Sequence, residues 1–140
     1  MNTIKHYLII KAQPEKVYNA ITTTNGLKGW WTVGATADKK VGGMAEFVFG
    51  DQYHIKMQIT HLKKNKKVEW VCIQGDKEWI GTTFTFNLES KDDDTILRFT
   101  HDKWKEETDF FASCNYHWGY YLRSLKLLCE TGKGTPFIEE

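Results

Sequence analysis

The side chain best placed for acid-base or ligand-orienting work is His101. It closes the alternating run Leu97, Phe99, His101, so strand parity puts its imidazole on the apolar side of that run. A neutral imidazole there can orient a carbonyl or hydroxyl, or exchange a proton. It can equally be a structural histidine held by hydrogen bonds, because the spacing fixes no carboxylate partner. His6, His54, His61 and His117 have no ligand spacing with one another or with cysteine, so no metal site is expected. Cys72, Cys114 and Cys129 are odd in number and too far apart for a CxxC pair; they read as reduced, buried thiols of a cytoplasmic protein. No Ser, Cys or Lys stands beside a recognisable base, and covalent catalysis therefore has no support. Gly42-Gly43 lacks the Gly-Lys-Ser/Thr that a phosphate loop needs and reads as a strand-entry turn. Lys63, Lys64, Lys66 and Lys67 read as a solvated hairpin tip.

These residues need a scaffold, and the strongest signal for one is the stretch from Thr108 to Gly134. Phe110, Phe111, Cys114, Trp118, Tyr121, Leu122, Leu125, Leu128 and Cys129 recur in steps that share one side of an α-helix. Thr108 and Asp109 supply start signals, and Gly132, Gly134 and Pro136 supply stops. At 1.5 Å per residue the helix is about 35 Å long, enough to cross a small sheet. Gly119 interrupts it, either for a close approach or because it is tolerated.

Upstream, Thr3 to Lys11 reads as a strand, Pro14 opens a short helix with Val17, Ala20 and Ile21 on one face, and a second short helical turn ends at Trp30-Trp31. From residue 32 to residue 102 the pattern is β: Val33–Ala37, Met44–Phe49, Gln52–Leu62, Lys67–Gln74, Trp79–Glu89 and Thr95–Asp102, separated by short turn segments. Parity gives these strands a dry face carrying Phe47 and Phe49; Tyr53, Ile55, Met57 and Ile59; Phe84, Phe86 and Leu88; and Leu97, Phe99 and His101. A long amphipathic helix on the dry face of a curved antiparallel sheet is an α+β domain, and residues 1–140 read as one such domain.

Composition narrows the partners. The 140 residues hold 19 Lys plus Arg against 18 Asp plus Glu, a net charge of +1, with no field favouring nucleic acid or an anionic membrane. The N-terminal MNTIKHYLIIKAQPEK has only a short apolar run broken by charge, so neither a signal peptide nor a membrane span is expected and a cytoplasmic location is. Aromatics make up 14% of the chain, six of them Trp; such side chains fill cores and line apolar pockets alike. The pool for either role is Trp30, Trp31, Phe47, Phe49, Tyr53, Met57, Trp70, Phe84, Phe99, Phe110 and Trp118, with His101 among them.

Several of these residues also carry a resemblance. Ala12, Pro14, Val17 and Ala20, then Trp30-Trp31, Val41-Gly42-Gly43 with Phe47, Trp70, the run Thr95, Leu97, Phe99, Thr100, His101, and the closing Trp118, Leu122, Leu125, Lys126 and Glu130-Thr131-Gly132-Lys133-Gly134 resemble the SRPBCC or START-like superfamily. The branch they resemble is that of the activator of heat-shock protein 90 ATPase. Departures are Gln13, where a better capping residue is usual, and heavier aromatics at Phe110-Phe111 and in the row Tyr116, Trp118, Tyr120 and Tyr121. The resemblance implies a helix-grip fold: a sheet of six to seven strands gripping the C-terminal helix, two short helices after the first strand, and a cavity between. It implies a binding scaffold rather than one chemistry. Three readings follow: a module binding a small hydrophobic or aromatic molecule without a cofactor, a protein-interaction module that modulates a chaperone ATPase, and a cyclase or hydrolase with His101 as its acid or base.

Overall fold

A computed structural model describes residues 2–138. The elements are β1 (Asn2–Ile10), α1 (Pro14–Thr22), α2 (Thr24–Trp30), β2 (Gly34–Ala37), β3 (Met44–Phe49), β4 (Tyr53–Lys63), β5 (Lys67–Gln74), β6 (Thr83–Lys91), β7 (Asp94–Trp104) and α3 (Asp109–Thr131). The seven strands form one antiparallel sheet in the order β1-β7-β6-β5-β4-β3-β2. Strands β2 to β7 are a meander, and β1 returns to pair with β7. Register shifts at Lys56/Met57 and Ile59/His61 on β4, and at Asn2/Ile4 on β1, bend the sheet. This is the helix-grip arrangement, with both short helices where the Pro14 and Trp30-Trp31 signals put them.

The sheet's dry face and α3 bury a common core. Phe47, Met57, Phe84, Phe86, Leu97 and Phe99 from the strands are fully buried, and Trp118, Leu122, Leu125 and Cys129 meet them from the helix. Truncating a residue such as Trp118 to Ala costs about 3–5 kcal/mol in a core of this kind. Thr108 caps α3 by accepting the Phe111 N–H at 3.2 Å, and Gly132 ends it in the left-handed conformation at φ 86°. Gln13 precedes α1 without a capping side-chain bond.

Two departures from the sequence pattern matter. The sixth strand starts at Thr83, not Trp79: the Asp76 carbonyl accepts the Trp79 and Ile80 N–H groups, and Gly81 sits at φ 86°, so this segment is a turn. The turn carries Trp79 inward. The seventh strand runs on to Trp104, past the Asp102 limit, and Trp104 is buried.

The C-terminal half of α3 is bound on three sides. Ser124 Oγ donates to the Trp30 carbonyl at 2.8 Å and accepts the Thr135 N–H at 2.7 Å. Lys126 Nζ donates to the Ile9 carbonyl at 2.7 Å, and Glu130 accepts the Lys11 N–H at 2.8 Å. These two side chains therefore satisfy free backbone groups along the open edge of β1 and pair with each other at 2.6 Å. Burial would raise the Glu130 pKa, but the Lys11 N–H and the Lys126 ammonium outweigh it and hold the carboxyl below its ordinary value. Beyond α3 the chain turns back beside Trp31, where Phe137 N–H reaches the Trp31 carbonyl and the Phe137 carbonyl accepts the Val33 N–H.

Gly134 and Gly119 illustrate different uses of glycine. A Cβ on Gly134 would lie 2.4 Å from the Gly29 carbonyl oxygen and 2.9 Å from that of Ser124, so only glycine lets the tail cross here. A Cβ on Gly119 would meet nothing nearer than His6 Cε1 at 3.7 Å. We expect Gly119→Ala to raise stability by about 1 kcal/mol and Gly134→Ala to lower it by at least that much, read from urea unfolding midpoints. A destabilised Gly119→Ala would mean that the helix needs close approach there after all.

Candidate functional site

Beneath the N-terminal half of α3 lies an open-mouthed cavity of about 550 Å³. From α3 it is lined by Phe110, Ser113, Cys114, His117, Trp118 and Tyr121. The β3–β4 turn contributes Phe49, Gly50, Asp51, Gln52 and Tyr53, with Ile55 behind; the β5–β6 turn contributes Asp76 and Trp79; Trp31 and the tail residue Phe137 complete the wall. The space thus lies between α3, the β3–β4 and β5–β6 turns, the residue that ends α2 and the tail.

Of the pool named from sequence, Trp31, Phe49, Tyr53, Phe110 and Trp118 line this cavity, whereas Trp30, Phe47, Met57, Trp70, Phe84, Phe99 and His101 lie outside its lining and are fully or almost fully buried. They pack the layer behind it. Tyr53 shares parity with Ile55 and Met57 but, at the first position of its strand, is 44% exposed. Trp79, Tyr121, His117 and Phe137 were not in the pool. Tyr121 was readable on the helix's apolar side, and the brackets Gly75-Asp76 and Gly81 mark the turn that aims Trp79; nothing local signals Phe137.

His101 is 0% exposed and sits behind the wall. Trp118 Nε1, which can only donate, reaches His101 Nδ1 at 3.2 Å, so that nitrogen is the acceptor and the proton rides on Nε2. Nε2 then donates to Thr82 Oγ1 at 2.8 Å, and Thr82 passes its own hydrogen to the Trp79 carbonyl at 2.6 Å. The Phe84 ring stacks on the imidazole with centroids 3.8 Å apart. Burial pushes the His101 pKa down to about 2. Neutral, with both nitrogens engaged and no edge on the cavity, His101 orients Trp118 and the Trp79 turn rather than meeting a ligand.

A second indole donor of this wall is similarly tied: Trp79 Nε1 donates to Cys114 Sγ at 3.4 Å. Cys72, Cys114 and Cys129 are free and buried, and burial raises each thiol to about 11, so none is a thiolate nucleophile at neutral pH. Among the described residues no cluster of His, Cys, Asp or Glu could hold a metal ion. No described helix is long and apolar enough to cross a membrane.

A curved antiparallel sheet gripping a long terminal helix, with a largely aromatic cavity under that helix, is the helix-grip fold. The chain belongs to the activator of Hsp90 ATPase homolog 1-like family, whose profile matches residues 11–130. Among solved structures it is similar to the Aha1 dimer from Colwellia psychrerythraea, at 43% identity and a TM-score of 0.87 over 96% of this chain and 100% of that one. Protein MLL2253 from Mesorhizobium loti, at 18% identity and a TM-score of 0.79 over 91% and 96%, shares the fold. So does protein BH1534 from Bacillus halodurans, at 20% identity and a TM-score of 0.77 over 93% and 98%. No curated protein matches.

The His101 geometry has a pH consequence. Its folded pKa is depressed below the ordinary 6.5, so on acidification the unfolded chain takes up a proton that the folded chain refuses. The associated stability is present above about pH 6.5 and is lost progressively as pH falls toward 2. Between pH 7 and pH 5 we expect His101 to account for a loss of about 2 kcal/mol in unfolding free energy. The same measurement on His101→Gln should show that part of the slope removed; an unchanged slope would mean His101 is readily protonated in the fold.

Proposed function

We propose that this chain is a non-catalytic, cytoplasmic binding module, one domain over residues 1–140, that takes a small hydrophobic or aromatic molecule into the space under the N-terminal half of α3. The carrying observation is the cavity itself: about 550 Å³, open at one end and walled mainly by aromatic rings. Spaces of this size and lining at element junctions are common small-ligand sites. An enzymatic use of the same space would not draw on His101, which is neutral and spent within the wall, or on the protonated Cys114 thiol.

Ser113 stands on the exposed side of α3 at the mouth of the space. We expect calorimetric titration with neutral probes, 1-octanol and 2-naphthol, to give saturable 1:1 binding, and Ser113→Phe to weaken it by about tenfold or more by occupying the opening. Absence of heat with any neutral amphiphile, or a Ser113→Phe variant that binds as well as the parent, would count against the reading.

The second reading, a module that modulates a chaperone ATPase, is favoured by the description of the matching family and by the 43% identical Aha1. The same variant separates the two readings. Stimulation of a chaperone ATPase that is indifferent to Ser113→Phe would favour a protein surface over the cavity.

A further inference from the structure

We propose that the molecule held in this cavity is an amphiphilic cation, a protonated amine or quaternary ammonium on an apolar body, rather than a fatty acid or other organic anion. This rests on the cavity being a ligand site and adds the sign of its charge. Among the described residues the lining includes two carboxylates, Asp51 on the β3–β4 turn and Asp76 on the β5–β6 turn, and no Lys or Arg. Among the described residues neither carboxylate is in an ion pair. An anionic head group at this mouth would meet two uncompensated like charges, while a cationic one would meet two opposite charges beside aromatic rings.

His117 and two of the lining indoles fit the same sign. His117 Nδ1 lies 2.8 Å from the Ser113 carbonyl, an acceptor, so in the neutral ring it carries the hydrogen and leaves Nε2 as a lone pair. The indole N–H groups of Trp79 and Trp118 are consumed by Cys114 and His101, so neither is available to a carboxylate guest. Asp76 also contributes to raising the Cys72 and Cys114 thiols, after burial, so its charge is felt from the mouth to the inner wall. Gln52, Tyr53, Ser113 and Tyr121 are neutral groups that can serve either sign, so the two carboxylates, with no Lys or Arg among the described lining residues, set the charge preference.

The test uses three probes with the same eight-carbon tail, octyltrimethylammonium, 1-octanol and octanoate, titrated into the full chain at pH 7 and low salt. We expect the cation to bind about tenfold more tightly than octanoate, with the gap shrinking as salt is added. Asp76→Asn keeps the Oδ1 that accepts the Glu78 N–H at 2.9 Å and should survive folding. It should weaken the cation about threefold and leave 1-octanol unchanged; Asp51→Asn, on an exposed turn residue, should act in the same direction. Equal binding of the two ions, tighter octanoate, or a gap untouched by both substitutions would overturn the charge assignment while 1-octanol binding still upholds the ligand site. No binding by any of the three would remove both.

Discussion

The structure depends on the hydroxyl of Ser124. Fully buried on an otherwise apolar helix face, it donates to the last turn of α2 through the Trp30 carbonyl and accepts from the returning tail through Thr135. Left without partners it would cost about 1–3 kcal/mol, so the three segments are obliged to meet around it. Gly134 allows the tail to pass within reach, and Lys126 with Glu130 fixes the same half of α3 to the edge of β1. One half of the long helix is thus clamped by short helices, tail and edge strand. The other half, facing a sheet that bends away from it, bridges an opening.

The wall of that opening is fixed by hydrogen bonds among its own side chains. His101 joins Trp118 to Thr82 and the Trp79 carbonyl, and Trp79 in turn donates to Cys114 on the helix. These bonds connect β7, the turn before β6, and α3 across the top of the core. Trp79 and Trp118 are held nearly parallel, with interplanar angle 10° and centroids 6.4 Å apart. A buried polar network that is fully paired rigidifies the side chains it joins, and a rigid wall spares a ligand the cost of ordering it. His101 therefore holds Trp118 and the Trp79 turn in place.

Much of the fold was legible because periodicity and punctuation agreed. The α3 boundaries follow from Thr108 and Gly132, the start of α1 from Pro14, the end of α2 from Trp30-Trp31, and the strand faces from alternation. What escaped were features decided by tertiary contact. Trp79 lies in a β-rich run, yet the Asp76 carbonyl and Gly81 fold that run into a turn. Ser124 breaks the apolar row without signalling that it is the junction. The cavity lining was only partly readable: alternation says which side chains face inward, but whether an inward ring packs behind, as Trp70 and Phe99 do, or borders space, as Trp31 and Phe110 do, depends on how far the sheet bends.

The six tryptophans divide between these two situations, which makes them reporters of the account as a whole. Trp31, Trp79 and Trp118 border the opening, whereas Trp30, Trp70 and Trp104 are buried away from it. The most direct measurement is the set of indole N–H resonances in a proton–nitrogen correlation spectrum, followed as a neutral amphiphile is added. A guest under the free half of α3 predicts that the largest shifts belong to Trp31, Trp79 and Trp118. Shifts led by Trp30, Trp70 and Trp104, or six unmoved signals at saturating probe, would contradict it.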